Sequence, residues 1–348
     1  MACVLQSVMS YATARAVTPE EIPTIDLGPL LADAPGALER TAEAIVAASR
    51  GLGFYYIVNH GIAPAVIEAA FAASRTFFLS PLAAKEEIAV NEINRGWMGM
   101  GKALMTGATR TDLKELFSWG LELGPDDPEV MAGTPFRGAN QWPSAVPQMR
   151  AAIYDGFYRA GCATGARLLR AVCVGLGLAP DALAQHFEKP MARGQLIYYP
   201  PQPPEMGEEQ FGVAAHTDFG CLTMVCQDDR GGLQVQSRDG EWIAAPPVPG
   251  ALLVNVGDLL ARWSNGRFSS TRHRVVNSSG RERFSMAVFY DPAFHTVIDP
   301  RDLGLPEGVA PRYEPTVAGE HQLARFNQVF AHRLKGIDKA AAAHAPEG

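Results

Sequence analysis

The apolar positions of the chain follow two regimes. Up to about residue 187 they recur mostly at helical spacing, whereas from Gln195 they form short β-rich runs cut by Gly, Pro, Asn and Asp. Ala and Ile spaced at three and four predict a helix over 38–52, and Pro64, well placed in a first helical turn, opens another that runs through Phe78. Between them Gly53-Phe54-Tyr55-Tyr56-Ile57-Val58 reads as a strand closing on the turn Asn59-His60-Gly61, and Ile22–Leu27 as an earlier short strand. Met149, Ile153, Phe157, Leu168, Val172 and Leu176 share one face of a long helix over about 146–178, ended by Pro180 and weakened by its internal glycines. Residues 91–111, rich in Gly and Met, read as a long loop.

The later runs, Gln195–Tyr199, Leu222–Gln227, Leu233–Gln236, Trp242–Ala244, Ala251–Val256, His273–Val276 and Phe284–Tyr290, have the spacing of a sandwich or barrel, here a jelly roll. A last helix over 319–334 precedes an Ala-rich tail expected to fray. The fold class predicted is α+β, a jelly-roll core flanked by helices with an N-terminal α/β extension.

Composition narrows the function classes. With 47% hydrophobic and 19% charged residues, the 348-residue chain can bury the core of an ordinary globular enzyme. A net charge of −7, with basic residues scattered, argues against a nucleic-acid partner. Five cysteines without a CxxC pair suggest reduced thiols and a cytoplasmic setting; Cys221 and Cys226 point to opposite faces of an extended run and are poor joint ligands. Met1–Val17 lacks the basic and apolar segments of a secretory signal. The longest apolar stretch, Ala251–Leu260, is broken by Asn255 and Asp258, so no membrane span is expected. A small-molecule substrate and a monomer or weak homo-oligomer are the partners expected.

Chemistry concentrates in the β half. His216 and Asp218 are two apart, so in an extended chain both reach one ion. That pair alone is weak, but His273 opens a later strand, and two imidazoles with one carboxylate leave three open positions on an octahedral iron(II). Ten residues on, Arg283 and Ser285 share a strand face, a fork and a hydroxyl suited to a carboxylate, and Tyr199 offers a further phenolic donor. A dicarboxylate such as 2-oxoglutarate suits both ends. By contrast, Gly96–Ala103 almost matches a phosphate-cradling loop, but Ala103 stands where a Ser or Thr must meet Mg2+, and Trp97 and Met98 fill the loop.

His-Thr-Asp, then Ser270-Thr271-Arg272-His273-Arg274-Val275, then Arg283-Phe284-Ser285, resembles the isopenicillin N synthase-like family of iron(II)/2-oxoglutarate-dependent oxygenases. Asp112-Leu113-Lys114-Glu115, Val254-Asn255-Val256-Gly257-Asp258 and Trp263-Ser264-Asn265-Gly266 extend the likeness over most of the chain; Ile197 departs from it, where plant members often carry asparagine. The resemblance implies a non-haem dioxygenase region over 20–135, a long connecting helix over 136–187, a dioxygenase jelly roll over 188–297, and a C-terminal helix and tail over 298–348. It implies iron(II), 2-oxoglutarate and O2 as cofactors, with ascorbate as an accessory reductant. Oxidation of a small molecule, by default hydroxylation, is coupled to release of succinate and CO2. Substrate contacts are expected from Arg95, Trp97, Phe219, Leu222, Phe289 and Phe294, with Arg95, Trp97 and Lys102 on a lid. A same-fold oxidase that needs no 2-oxoglutarate and a metal-free jelly-roll binding protein are the alternatives.

Overall fold

A computed structural model describes residues 11–203, 206 and 209–330. The core is two sheets face to face. The larger holds β1 (Thr24–Asp26), β2 (Phe54–Val58), β3 (Gly96–Met98), β4 (Glu115–Gly120), β5 (Arg193–Tyr199), β7 (Leu222–Gln227), β10 (Leu252–Val256) and β12 (Arg283–Tyr290), in the order β1-β2-β10-β7-β12-β5-β4-β3. The smaller holds β6 (Val213–His216), β8 (Leu233–Gln236), β9 (Trp242–Ala244) and β11 (His273–Val275), in the order β6-β11-β8-β9. A two-stranded ribbon, β13 (Val297–Ile298) with β14 (Thr316–Val317), stands apart. The strands of the N-terminal region, β1 to β4, thus extend both edges of the larger jelly-roll sheet.

Helices flank the sheets: α1 (Gly28–Leu31), α2 (Ala37–Arg50), α3 (Pro64–Phe78), α4 (Leu82–Glu86), α5 (Pro128–Met131), α6 (Arg159–Gly175), α7 (Asp258–Trp263) and α8 (Ala318–Val329). The long helix expected over 146–178 begins instead as a wide π-helical segment, Arg150–Tyr158, and becomes α-helical at Arg159. Its glycines do not break it, because two of them seat it on the sheet. A Cβ at Gly161 would stand 2.8 Å from Val288, and one at Gly165 2.6 Å from Tyr290. The propensity lost at those positions, about 1 kcal/mol each, is the condition for close helix–sheet packing.

Strand alternation then positions the site. All eight residues of β12 are buried. Val288 meets α6, while Arg283, Ser285, Ala287 and Phe289 face the cavity between the sheets. Parts of 91–111 are more ordered than a loop: Gly96–Met98 pairs with β4, and Trp97 donates its backbone N–H to Ile88 O. The final helix ends at Val329; the expected continuation and the Ala-rich tail lie outside the described residues, as do Met1–Ser10. Cys162, Cys173, Cys221 and Cys226 are free thiols, and burial pushes Cys162 and Cys226 up to about 12, which keeps both protonated. Among the described residues no helix is long and apolar enough to cross a membrane.

Candidate active site

His216 ends β6 and His273 opens β11, and the antiparallel ladder sets them directly opposite one another. Their ring centroids are 4.3 Å apart. Asp218 follows β6 by two residues, and its Oδ1 lies 3.8 Å from Nε2 of each histidine. One ligand atom from each of the three residues falls within 4.8 Å of the others.

The surroundings prepare these groups as ligands. Nδ1 of His216 is 2.8 Å from Ala214 O and Nδ1 of His273 is 3.2 Å from Thr271 O. A carbonyl only accepts, so each Nδ1 carries a proton and each Nε2 is the ring nitrogen that faces Asp218. Burial, helped by His273 and Lys114, pushes His216 down to about 3, so its ring is neutral at physiological pH. Burial would raise Asp218, but the two histidines and hydrogen bonds from Thr223 and Asn255 outweigh it and hold the carboxyl below its ordinary range. Asn255 Nδ2 donates to Asp218 Oδ2 over 2.7 Å, which leaves Oδ1 turned to the histidines. Two imidazoles and one carboxylate suit a divalent iron, and the remaining side of the group opens on the cavity.

At one end of that cavity Arg283 is 1% exposed. Its Nε donates to Gly231 O over 2.5 Å and Nη2 to Gln227 Oε1 over 3.0 Å, while Ser285 Oγ is a long 3.4 Å from Nη1. Tyr199, opposite it on β5, lies under the guanidinium at 4.6 Å. All these partners are neutral, so a fully buried cation here lacks a counter-ion among the described residues. An anion that enters the cavity supplies one.

The remaining sequence-predicted residues divide. Phe219 and Phe289 line the cavity. Leu222 and Phe294 are buried in the core away from it, Phe294 against Phe136 and beneath Gly319. Arg95 and Trp97 are also not brought to it. Arg95 is 4% exposed and holds Phe136 O at 2.7 Å, and Trp97 donates its indole N–H to Glu115 over 2.7 Å. Both side chains brace β3 and β4 rather than a lid, because hydrogen bonding turned this stretch into a sheet edge. Lys102 is exposed. The cavity wall instead includes Lys114, Arg193, Gln195 and, from α8 and its end, Phe326, Val329 and Phe330. Arg193 and Gln195 precede Tyr199 by six and four residues, so period-two alternation carried back along β5 was a signal for both.

These features define a non-haem iron oxygenase site in a jelly roll, and comparison with known proteins agrees. The 2OG-Fe(II) oxygenase superfamily profile matches residues 192–292, and the profile described as non-haem dioxygenase in morphine synthesis N-terminal matches 22–145. The 2-oxoglutarate-dependent dioxygenase citB of Monascus ruber is 34% identical over 279 residues, 78% of this chain and 84% of its own. A full-length Neurospora crassa protein, crystallised in complex with alpha-KG, superposes with a TM-score of 0.78 at 29% identity, over 90% of this chain and 98% of its own. JOX2, in complex with 2OG, Fe and JA, gives a TM-score of 0.72 at 30% identity, over 91% and 86%. The chain belongs to the 2OG-Fe(II) oxygenase superfamily, and it is a 2-oxoglutarate-dependent dioxygenase with iron(II), 2-oxoglutarate and O2 as its cofactors.

Proposed function

We propose that His216, Asp218 and His273 hold the iron, that Arg283, Ser285 and Tyr199 hold the distal carboxylate of 2-oxoglutarate, and that the enzyme hydroxylates a small molecule in the cavity. The observation that carries this is the pairing of a three-ligand cluster open on one side with a buried guanidinium that lacks a counter-ion, both on one cavity. Iron(II) in that cluster supplies the oxygen chemistry that couples decarboxylation of 2-oxoglutarate, to succinate and CO2, to oxidation of the substrate.

The chain's own part is positioning. Ala214 O and Thr271 O fix the ring orientation of the two histidines, and Asn255 fixes the carboxylate. Arg283 gives the co-substrate one direction of entry, with Ser285 and Tyr199 able to add hydroxyl donors. Phe219, Phe289 and Phe326 add apolar surface to the remaining wall, which helps exclude water from the reacting centre. A small-molecule substrate fits the likeness to the Neurospora crassa protein, which was also crystallised with thymine, and to JOX2 with JA. A cytoplasmic enzyme is the setting that the reduced thiols favour.

Anaerobic titration of the protein with iron(II) and 2-oxoglutarate tests the ligand set. The wild type should develop the weak visible charge-transfer band of the ternary complex, and His216→Ala should not. A normal band in His216→Ala would remove His216 from the metal. Succinate formed during turnover separates this activity from that of a same-fold oxidase that needs no 2-oxoglutarate.

A further inference from the structure

The floor of the cavity is a pair of antiparallel strands with an arginine at each end. On β12 the inward residues are Arg283, Ser285, Ala287 and Phe289, and their partners on β5 are Tyr199, Ile197, Gln195 and Arg193. The six residue steps from Arg283 to Phe289 separate the two ends by about 20 Å. Arg283 belongs to the co-substrate end. Nothing in the proposed co-substrate site uses Arg193.

Arg193 is held in an unusual way. Its guanidinium carbon lies 3.5 Å from the centroid of Phe289 and 4.9 Å from that of Phe326, so two aromatic rings fix its plane. Its Nε is sealed from solvent with no hydrogen-bond partner, and no side-chain hydrogen bond or ion pair of Arg193 exists among the described residues. Ring contacts of this kind engage the face of a guanidinium and leave its in-plane N–H donors unused. Asp291 and Asp218 are near enough to stabilise its charge, but neither forms an ion pair with it, and burial pulls its pKa below the usual arginine value. Asp291 accepts the Cys221 backbone N–H instead, and Asp218 belongs to the iron cluster. Arg193 also borders a smaller adjoining space walled by Asn94, Met98 and Ser118. A half-buried cation with its donors free and its orientation set gains from a ligand that completes it.

We infer that Arg193 is the substrate anchor: the substrate is a flat, largely apolar molecule whose planar oxygen acceptor, a carboxylate or a conjugated ring carbonyl, docks on Arg193 beside Phe289. The inference rests on the proposed iron and 2-oxoglutarate assignment, because only that assignment leaves Arg193 for the substrate. Docking there holds one end of the molecule and turns its other end toward His216, Asp218 and His273.

The test uses the anaerobic holoenzyme loaded with iron(II) and 2-oxoglutarate, with calorimetric titration of three probes: benzoate, uracil and benzyl alcohol. Benzoate or uracil should bind roughly 10- to 100-fold more tightly than benzyl alcohol, the range expected for a charge-assisted hydrogen bond. Preference for benzoate identifies a carboxylate, and preference for uracil a ring carbonyl. In Arg193→Met that preference should vanish; in Arg193→Lys, which keeps the charge without the fork, part of it should return. Equal binding of all three probes, no binding of any, or an undiminished preference in Arg193→Met overturns the assignment. Should Arg193→Met fail to fold, Arg193→Lys decides: an unchanged preference there overturns the assignment too. Failure of the wild type to form the charge-transfer band instead defeats the underlying metal and co-substrate reading, so the two failures are distinct.

Discussion

Replacing Arg283 by lysine tests the proposed co-substrate site most directly. The substitution keeps a positive charge and removes the planar fork, so Gly231 O and Gln227 Oε1 lose the donors that now reach them over 2.5 and 3.0 Å. The ammonium of lysine cannot meet a carboxylate bidentately while also satisfying both of those acceptors. A hydrogen bond to a charged group contributes about 1.5–3 kcal/mol. The dissociation constant of 2-oxoglutarate should therefore rise roughly 10- to 100-fold. The control is pyruvate, an oxo acid that keeps the chelating end and lacks the distal carboxylate. Its weaker binding should change less than about 3-fold, because nothing in it reaches Arg283. Both constants come from anaerobic titration of the iron(II) protein, read by the charge-transfer band. If the substitution weakens pyruvate and 2-oxoglutarate by the same factor, Arg283 acts on the fold or on the metal and not on the carboxylate.

Other consequences are equally specific. Tyr199→Phe keeps the ring under Arg283 and removes the hydroxyl; if that hydroxyl donates to the co-substrate, the KM for 2-oxoglutarate should rise roughly 2- to 12-fold, by the range of one neutral hydrogen bond. Asn255→Leu removes the donor to Asp218 Oδ2, and iron affinity, measured by competition with a chelator, should fall about 10- to 100-fold. Gly165→Ala forces a methyl to 2.6 Å from the Tyr290 ring, so urea unfolding should show a loss of about 1–3 kcal/mol; an unchanged midpoint would mean that the ring moves aside freely. Iron(II) added anaerobically should raise the melting temperature of the wild type, because it binds only the folded cluster, and that rise should be absent in His273→Ala.

The parts of this enzyme that were legible in the sequence are those that repeat a spacing. Pro64–Phe78 and Leu222–Gln227 form over the predicted residues, because their periodicity agrees with the face each buries. The proposed metal-ligand group was legible for a related reason: His216 and Asp218 are two apart, and His273 begins a strand. What the spacing could not supply was that β6 and β11 are neighbours with these two histidines in register. Where local propensity and packing disagree, packing decided. The glycines of the long helix looked like interruptions, and two of them, Gly161 and Gly165, are places where it touches β12. Arg95 and Trp97 looked like lid residues because their segment is rich in Gly and Met. Glu115 and Phe136 O, distant in sequence, capture them into the core.

The same contrast explains why the two ends of the cavity differ in legibility. Arg283 stands two residues before Ser285 in a pattern that has chemical meaning by itself, so the proposed co-substrate end can be read from three residues. Arg193 has no such local partner. Its meaning depends on Phe289 across the strand pair and on Phe326 from α8, 133 positions further along the chain by residue number. Selection of a substrate needs a wall assembled from several elements, whereas grip on a fixed dicarboxylate needs one strand face and its neighbour. An oxygenase scaffold can therefore keep the Arg283 end unchanged and alter its substrate at the Arg193 end. Grafting a different side chain at position 193 should move substrate preference while the affinity for 2-oxoglutarate stays within about 3-fold, as expected for sites some 20 Å apart along the sheet. A parallel loss of both would show that the cavity is one coupled site with no division of labour.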